Sequence, residues 1–341
     1  MEVKATLVCI LSFASLAAVA GASGRAQTCG ENAALRYWMA LAQMENPDAS
    51  SDLAQQLEKT ARGQMPWDAA LAPSVERNRA ALATMHRGSR LTYCDWGLEW
   101  EQLGAATPIA QLPRLRALWR LNVLYGMYLL QQGKPSEAAK TWIAGIAFSR
   151  HIAAGTPLLG ALMASTSLRS HFKAIELAIT EKKLDGPSLR LLEEAVAALP
   201  EDGFDWSECV RIELAGLRSE WTRAESADDP LAMLSRDFEA KDEKSLASVL
   251  GLTLDEIKKR DAIRAVLHRS GSALDAMQPK IVAAFHLPLD RSITAIRELE
   301  AATRRDPLLA QGLPSFVRAD QDGRGGVLKA RADLLALLRT R

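Results

Sequence analysis

The chain reads as all-α, an irregular array of antiparallel helical hairpins. Apolar residues recur at three- and four-residue spacing over most of its 341 positions. Alternation of β-branched and aromatic residues is scarce, and glycine and proline fall mostly where helices would end. Apolar residues make up 48%, enough for a sizeable core and too many for wholesale disorder. Lys plus Arg is 42 against 41 for Asp plus Glu, which removes the charge footprint of a nucleic-acid binder while leaving room for a local basic patch.

Residues 1–22 read as an export signal. Lys4 precedes an apolar run over 5–20, and Ala18-Val19-Ala20 and Ala20-Gly21-Ala22 both satisfy a small-x-small cleavage rule. The alternative is an uncleaved membrane anchor, for which a run of about 16–18 apolar residues, rich in Ala and Ser, sits at the lower limit. Cleavage removes Cys9 and leaves Cys29, Cys94 and Cys209. An oxidising compartment makes one disulfide the expectation, with Cys29 to Cys94 favoured because it ties the new N-terminus to the aromatic stretch at 93–100. The competing reading keeps all three as small buried hydrophobes, and their spacing matches no metal site.

The helices follow in order. Residues 31–45 place Leu35, Trp38, Met39 and Ala42 on one face, and Asn46-Pro47-Asp48 stops them. Residues 51–61 and 67–86 continue the pattern, with Pro73 kinking or restarting the second. Arg87-Gly88-Ser89 is a break, after which Asp95 is placed to cap a short helix through Leu103. From Pro113 the period is strong: Leu115, Trp119, Asn122, Gly126 and Leu129, then, past Gly133-Lys134-Pro135, Ala138, Trp142, Gly145, Ile146 and Ser149. A short-looped antiparallel hairpin is the physical conclusion. Residues 157–180 make a further long helix and 189–199 another after Asp185-Gly186-Pro187. Asp205 with Glu208 caps a helix to about Ala224. Ala227-Asp228-Asp229-Pro230 divides a main array, 29–226, from a more charged C-terminal region, 231–341. There helices are expected near 243–250, 254–268, 289–304 and 326–339, with Thr253 and Glu256 a second capping box. Residues 320–326, rich in Asp and Gly, read as an exposed flexible loop; they lack the carboxylate spacing and closing glutamate of a calcium site.

Gly126, Gly133, Glu137-Ala138, Trp142 and Gly145 resemble one tetratricopeptide repeat at about 119–152, which departs from the pattern at Asn122 and Arg150. No second copy follows at that period, so the resemblance implies a tetratricopeptide-like hairpin rather than a regular superhelix. More widely, Asn32-Ala33-Ala34-Leu35-Arg36-Tyr37-Trp38, the Cys94-Asp95-Trp96-Gly97 tetrad, Leu112-Pro113-Arg114-Leu115-Arg116-Ala117-Leu118 and Ala147-Phe148-Ser149-Arg150-His151 together resemble a group of exported, uncharacterised, all-helical bacterial proteins. Members of that group continue past the point where this chain stops, which implies a shortened C-terminus. The resemblance bears on fold and compartment, and no activity comes with it.

Candidate sites are few. Asp95 and Glu99, four apart, have the minimum spacing for paired-carboxylate chemistry; the plainer reading makes Asp95 a cap and Glu99 solvated. Tyr93, Trp96 and Trp100 form either an aromatic platform for a sugar or peptide, or core. Trp119 with Arg114, Arg116 and Arg120 offers a phosphate or acidic partner a seat, or is simply the edge of an amphipathic helix. The histidines, His86, His151, His171, His268 and His286, show no metal-binding pair, and no nucleophile elbow or nucleotide loop occurs. The expectation is therefore a non-catalytic, exported binding or adaptor protein of the bacterial envelope, periplasmic or extracellular. It takes a protein or peptide partner in a groove between hairpins, with no cofactor, no nucleic acid and no membrane span once the signal is cleaved. The alternative is a hydrolytic or carbohydrate-active enzyme whose site gathers scattered carboxylates, Asp95 and Glu99 first among them.

Overall fold

The computed structural model describes residues 31–45, 51–109, 111–237 and 242–340. The proposed signal, Cys29 and hence the Cys29 to Cys94 pairing lie outside them. Every regular element among the described residues is helical, so the all-α reading holds. None of these helices is long and apolar enough to cross a membrane.

Helix α1 (Ala33–Gln43) is capped by Asn32, whose side chain accepts from the Ala34 amide. It buries Ala33, Tyr37, Ala40 and Leu41 and turns Leu35, Trp38 and Met39 outward at 62, 41 and 47% exposure. Small residues on the inner face let α1 lie close along α4. Helix α2 (Asp52–Ala61) is capped by Ser51. The break expected at Pro73 is shared between two places. Pro73 sits in the first turn of α3 (Ala72–Arg77), and the chain restarts at Asn78 before α4 (Arg79–Gly88). Asn78 makes that restart permanent: its buried amide donates to the carbonyls of Glu45 and Ser74 and accepts from the Glu45 amide.

The expected helix behind Asp95 does not form there. Gly97 adopts φ +64°, which ends any helical path. Asp95 instead accepts from the Gly97 amide at 2.9 Å, and α5 spans only Trp100–Leu103, after Glu99. Three long helices then lie side by side: α6 (Gln111–Gln131), α7 (Pro135–Ala153) and α8 (Leu158–Thr180). Gly133 at φ +69° turns α6 into α7. Gly126 lets the Trp142 indole press against the α6 backbone, where its Nε1 donates to the Val123 carbonyl at 3.2 Å. Short links make α6 and α8 parallel to each other and antiparallel to α7 between them.

Helix α9 (Gly186–Ala197) starts at the Asp185 cap and covers α7. Helix α10 (Trp206–Ser226) is capped by Asp205 alone, because Glu208 pairs with Arg211 instead of reaching back. Past the Asp229-Pro230 link come α11 (Pro230–Asp237) and α12 (Glu243–Leu250). The helix expected at 254–268 begins later and runs much further, as α13 (Arg260–Ala284). Thr253 and Glu256 do bond reciprocally, but they close a turn before it. Pro279 stands inside α13 on an exposed face, where the helix tolerates the missing N–H. Helices α14 (Leu289–Thr303), α15 (Pro307–Gly312) and α16 (Phe316–Arg318) follow.

Residues 320–326, read from sequence as a flexible loop, fall instead in a wide π-type turn, Ala319–Arg324, and the start of α17 (Gly325–Arg339). Charge pairing explains the difference. Arg324 is buried, with Nη1 3.1 Å from the fully buried Asp320, Nε 3.0 Å from Asp202 and Nη2 donating to the Leu287 carbonyl at 2.8 Å. Gly323 is there because a Cβ would meet the Trp206 ring at 2.6 Å. Helix α17 packs across α8 and α9, and α13 runs along α10, so buried residues from Ala33 to Leu338 share one continuous core.

Candidate functional site

Helices α6 and α8 do not close on each other at their N-terminal halves. Between them opens a cleft of about 720 Å³, its apolar end lined by Ile109, Leu112, Leu159 and Leu162 and its other end by arginines. Leu159 and Leu162 stand at the rim, 47 and 37% exposed. Trp119 forms the floor and is itself 1% exposed, so it is a wall of the cleft rather than a surface residue.

The polar end gathers Arg62 from the end of α2 with Arg116 and Arg120 of α6. One oxygen serves all three: Glu58 Oε1 lies 2.7 Å from Arg62 Nη2, 3.0 Å from Arg116 Nη2 and 2.7 Å from Arg120 Nη2. Three guanidinium charges thus meet one carboxylate, which lies behind the cleft wall, and among the described residues no acidic side chain lines the cleft itself. Arg120 is the most enclosed. Its Nε and Nη2 are buried without an aligned acceptor, as is Arg62 Nε, and its guanidinium carbon rests 5.5 Å from the Trp119 ring centre. Burial first, then the charges of Arg116 and Arg62, pull Arg120 down to about 10, against the opposing pull of Glu58. The arrangement holds more positive charge than the protein neutralises. Arg114, the third arginine singled out by spacing, turns away and donates to the Leu41 carbonyl.

The aromatic stretch is built differently from what its sequence suggests. Trp96 is buried, stacked on Tyr37, and donates from Nε1 to the His151 carbonyl at 2.7 Å. Trp100 is buried at the other end, against Gly216 of α10. Tyr93 alone is exposed, and its hydroxyl reaches Asp95 Oδ2 at 3.2 Å. No aromatic platform results, since the indoles are core. Asp95 and Glu99 are not on one helix face either. Asp95 is spent on its own turn and its backbone clasps Asn32. The tetrad fastens the start of α1 to the end of α7.

Cys94 belongs to the same knot, 3.7 Å from the His151 carbonyl. Burial and the neighbouring Asp95 push its thiol up to about 12, while burial and Arg150 pull His151 down to about 4. A protonated thiol beside an imidazole that resists protonation is the reverse of a nucleophilic pair. The His151 Nδ1 is held by the Tyr37 hydroxyl at 2.6 Å. Among the described residues Cys94 and Cys209 form no disulfide.

A second polar chain runs through the three-helix stack. His86 Nε2 lies 2.7 Å from Asn122 Oδ1, the Asn122 amide lies 3.1 Å from His171 Nε2 and donates to the Thr141 carbonyl, and His171 Nδ1 lies 2.8 Å from the Ser167 carbonyl. Ser149 and Ser167 hydroxyls meet at 2.7 Å next to it. These distances fit neutral imidazoles donating from His86 Nε2 and His171 Nδ1. Gly145 leaves the space that His171 and Asn122 fill. Among the described residues no group of three or more His, Cys, Asp or Glu is placed to hold a metal ion.

Spacing on one helix pointed to Trp119, Arg116 and Arg120. It missed Glu58, Arg62, Leu159 and Leu162, which come from α2 and α8 and carry no local signal beyond amphipathic period. Comparison with protein-family models, curated proteins and solved structures returned no match.

Proposed function

We propose that this chain is a non-catalytic, exported binding protein that holds its partner in the cleft between α6 and α8. The observation that carries the reading is the three-to-one ratio of guanidinium to carboxylate at one end of an open apolar cleft. An excess of cationic charge on the wall of a cleft, with Arg120 largely enclosed, raises the local concentration of anions and invites one from outside. The other pointers agree. Asp95 is consumed by a turn, burial and Asp95 push the Cys94 thiol up, and His151 and His171 bond to neutral partners, so none of these four is placed as the acid or nucleophile that a hydrolytic enzyme, the alternative, would need. The cleft fits a partner that presents an acidic group beside apolar ones, whether the protein or peptide expected of a helical array or a smaller amphiphile. Export rests on the N-terminal pattern of Lys4 and residues 5–22.

A photoactivatable side chain at Leu159 tests the reading in living cells, with the same group at exposed Lys329 on α17 as control. Expected are adducts, seen by intact mass and by gel, at Leu159 only, and lost when Arg116→Gln is added. Identical adducts from both positions would sink the reading.

A further inference from the structure

We infer that the cleft's occupant is a free, medium-chain aliphatic carboxylate, its head on the arginines and its chain laid toward Ile109 and Leu159. This rests on the binding reading above and narrows it to one chemical class.

The cleft is graded along its length. Because α6 and α8 are parallel, with Asn122 level with His171, the apolar residues Leu112 and Leu159 sit at one end. Arg116, Arg120 and the Thr166 hydroxyl lie toward the other. Leu112 to Arg120 covers about 12 Å at 1.5 Å per helical residue. A head group at one end and a chain of that length along the wall match it.

The head is a carboxylate by count and by donor geometry. Glu58 Oε1 meets only Nη2 of each guanidinium, and Arg62 and Arg116, with side chains 35 and 48% exposed on the cleft wall, keep further planar N–H edges. Such edges suit a second two-oxygen anion. One added negative charge leaves the cluster at a single net positive charge.

The body is an alkyl chain rather than a peptide for a different reason. Both walls are helical, and the amides between Leu115 and Arg120 and between Leu162 and Thr166 are bonded within their own helices. Thr166 Oγ1 already donates to the Leu162 carbonyl at 2.9 Å. A peptide would find no free backbone partner on either wall, and each of its amides turned inward onto Leu112, Leu159 or Leu162 instead of toward the open side would be costly. A methylene chain brings none.

Titration calorimetry of the full chain with sodium dodecanoate below its micelle concentration tests the inference. Dodecanol, which has the chain alone, acetate, which has the head alone, and a short peptide ending in Leu-Ile-Leu with a free carboxylate are run beside it. Arg116→Gln and Leu159→Asn are both at exposed positions and are first shown to melt as the parent does. Expected is saturable one-to-one binding of dodecanoate, weakened about tenfold by either substitution and by removal of the charged head, and weakened again as salt is raised. Equal affinity of dodecanoate for the parent and both variants overturns the inference. Binding of the peptide without dodecanoate overturns it while the cleft keeps its role as a binding site. Binding of none of the probes, with no Leu159 adducts in cells, removes both.

Discussion

Asn122 departs from the repeat pattern, and its environment says why. Where an aromatic would fill the gap between helices, its amide joins His86, His171 and the Thr141 carbonyl at once. Gly145 is the other half of that arrangement, since a Cβ there would run into both His171 and Asn122. Gly145→Ala is expected to lower stability by roughly 1–3 kcal/mol, read from denaturant unfolding, with the cleft arginines unaltered. Asn122→Leu should cost about as much or more, because it removes the partner of Nε2 on both His86 and His171. Gly126 and Gly145, both named in the repeat resemblance, do stand where helices approach closely, and that is a local matter of one residue against its neighbour in the adjoining helix. Asn122 was visible as an anomaly but not as a hub. Its partners are 36 and 49 positions away, and no period links them.

At the scale of the element, helix interiors were legible and helix ends in the C-terminal part were not. The helix at 135–153 announces itself by Pro135 and its apolar spacing, and it forms. Residues 254–268 carry a capping box, yet the helix starts at Arg260, because the Thr253 and Glu256 bonds are complete within a single turn. The wide turn at Ala319–Arg324 shows the limit most clearly. Its charges looked solvated because Asp202 and Leu287, which make burial affordable, are distant in sequence. The face of α1 is a related case: period found the helix but not which side meets the core, and Leu35, Trp38 and Met39 look outward. Arg324→Ala leaves the buried Asp320 without its cation, and a loss of roughly 3–5 kcal/mol is expected. Hydrogen exchange should show α17 opening ahead of α6 and α7. Arg324→Lys is expected to cost nearly as much, because one ammonium cannot serve three acceptors arranged around a planar fork.

For the molecule as a whole, one buried and two half-buried histidines set the response to acid. Burial pulls His171 from 6.5 down to about 4, opposed by the Ser167 bond, and His151 likewise to about 4; His86 is lowered too, by burial and Arg90. Each binds a proton more readily when the chain is unfolded. Their contribution is therefore complete above pH 6.5, falls as the pH drops toward 4, and changes no further below that. For His171 alone the full effect is roughly 3 kcal/mol. Glu213, raised by burial, acts in the opposite sense, one group against three. Denaturant midpoints measured between pH 7 and pH 4 should fall steadily, and His171→Gln should flatten the slope. A midpoint independent of pH over that range would show that these imidazoles are not held neutral. Across all scales the fold class was readable because helical period is a local property. The cleft was half readable, since one wall announces itself on α6 and the other arrives from α2 and α8.

The bond from Asn122 to His171 has a consequence for the cleft, which neither residue lines. It fixes the rotational phase and the height of α8 against α6 at a single level, and the Ser149 and Ser167 hydroxyls repeat the pin between α7 and α8. A slip of one turn would carry Thr166 about 5.4 Å away from the arginines and break both pins together. The two walls therefore keep one spacing whether or not anything lies between them. A ligand meets a slot whose ordering cost was met during folding, so its affinity should depend on contacts within the slot and little on any closing movement.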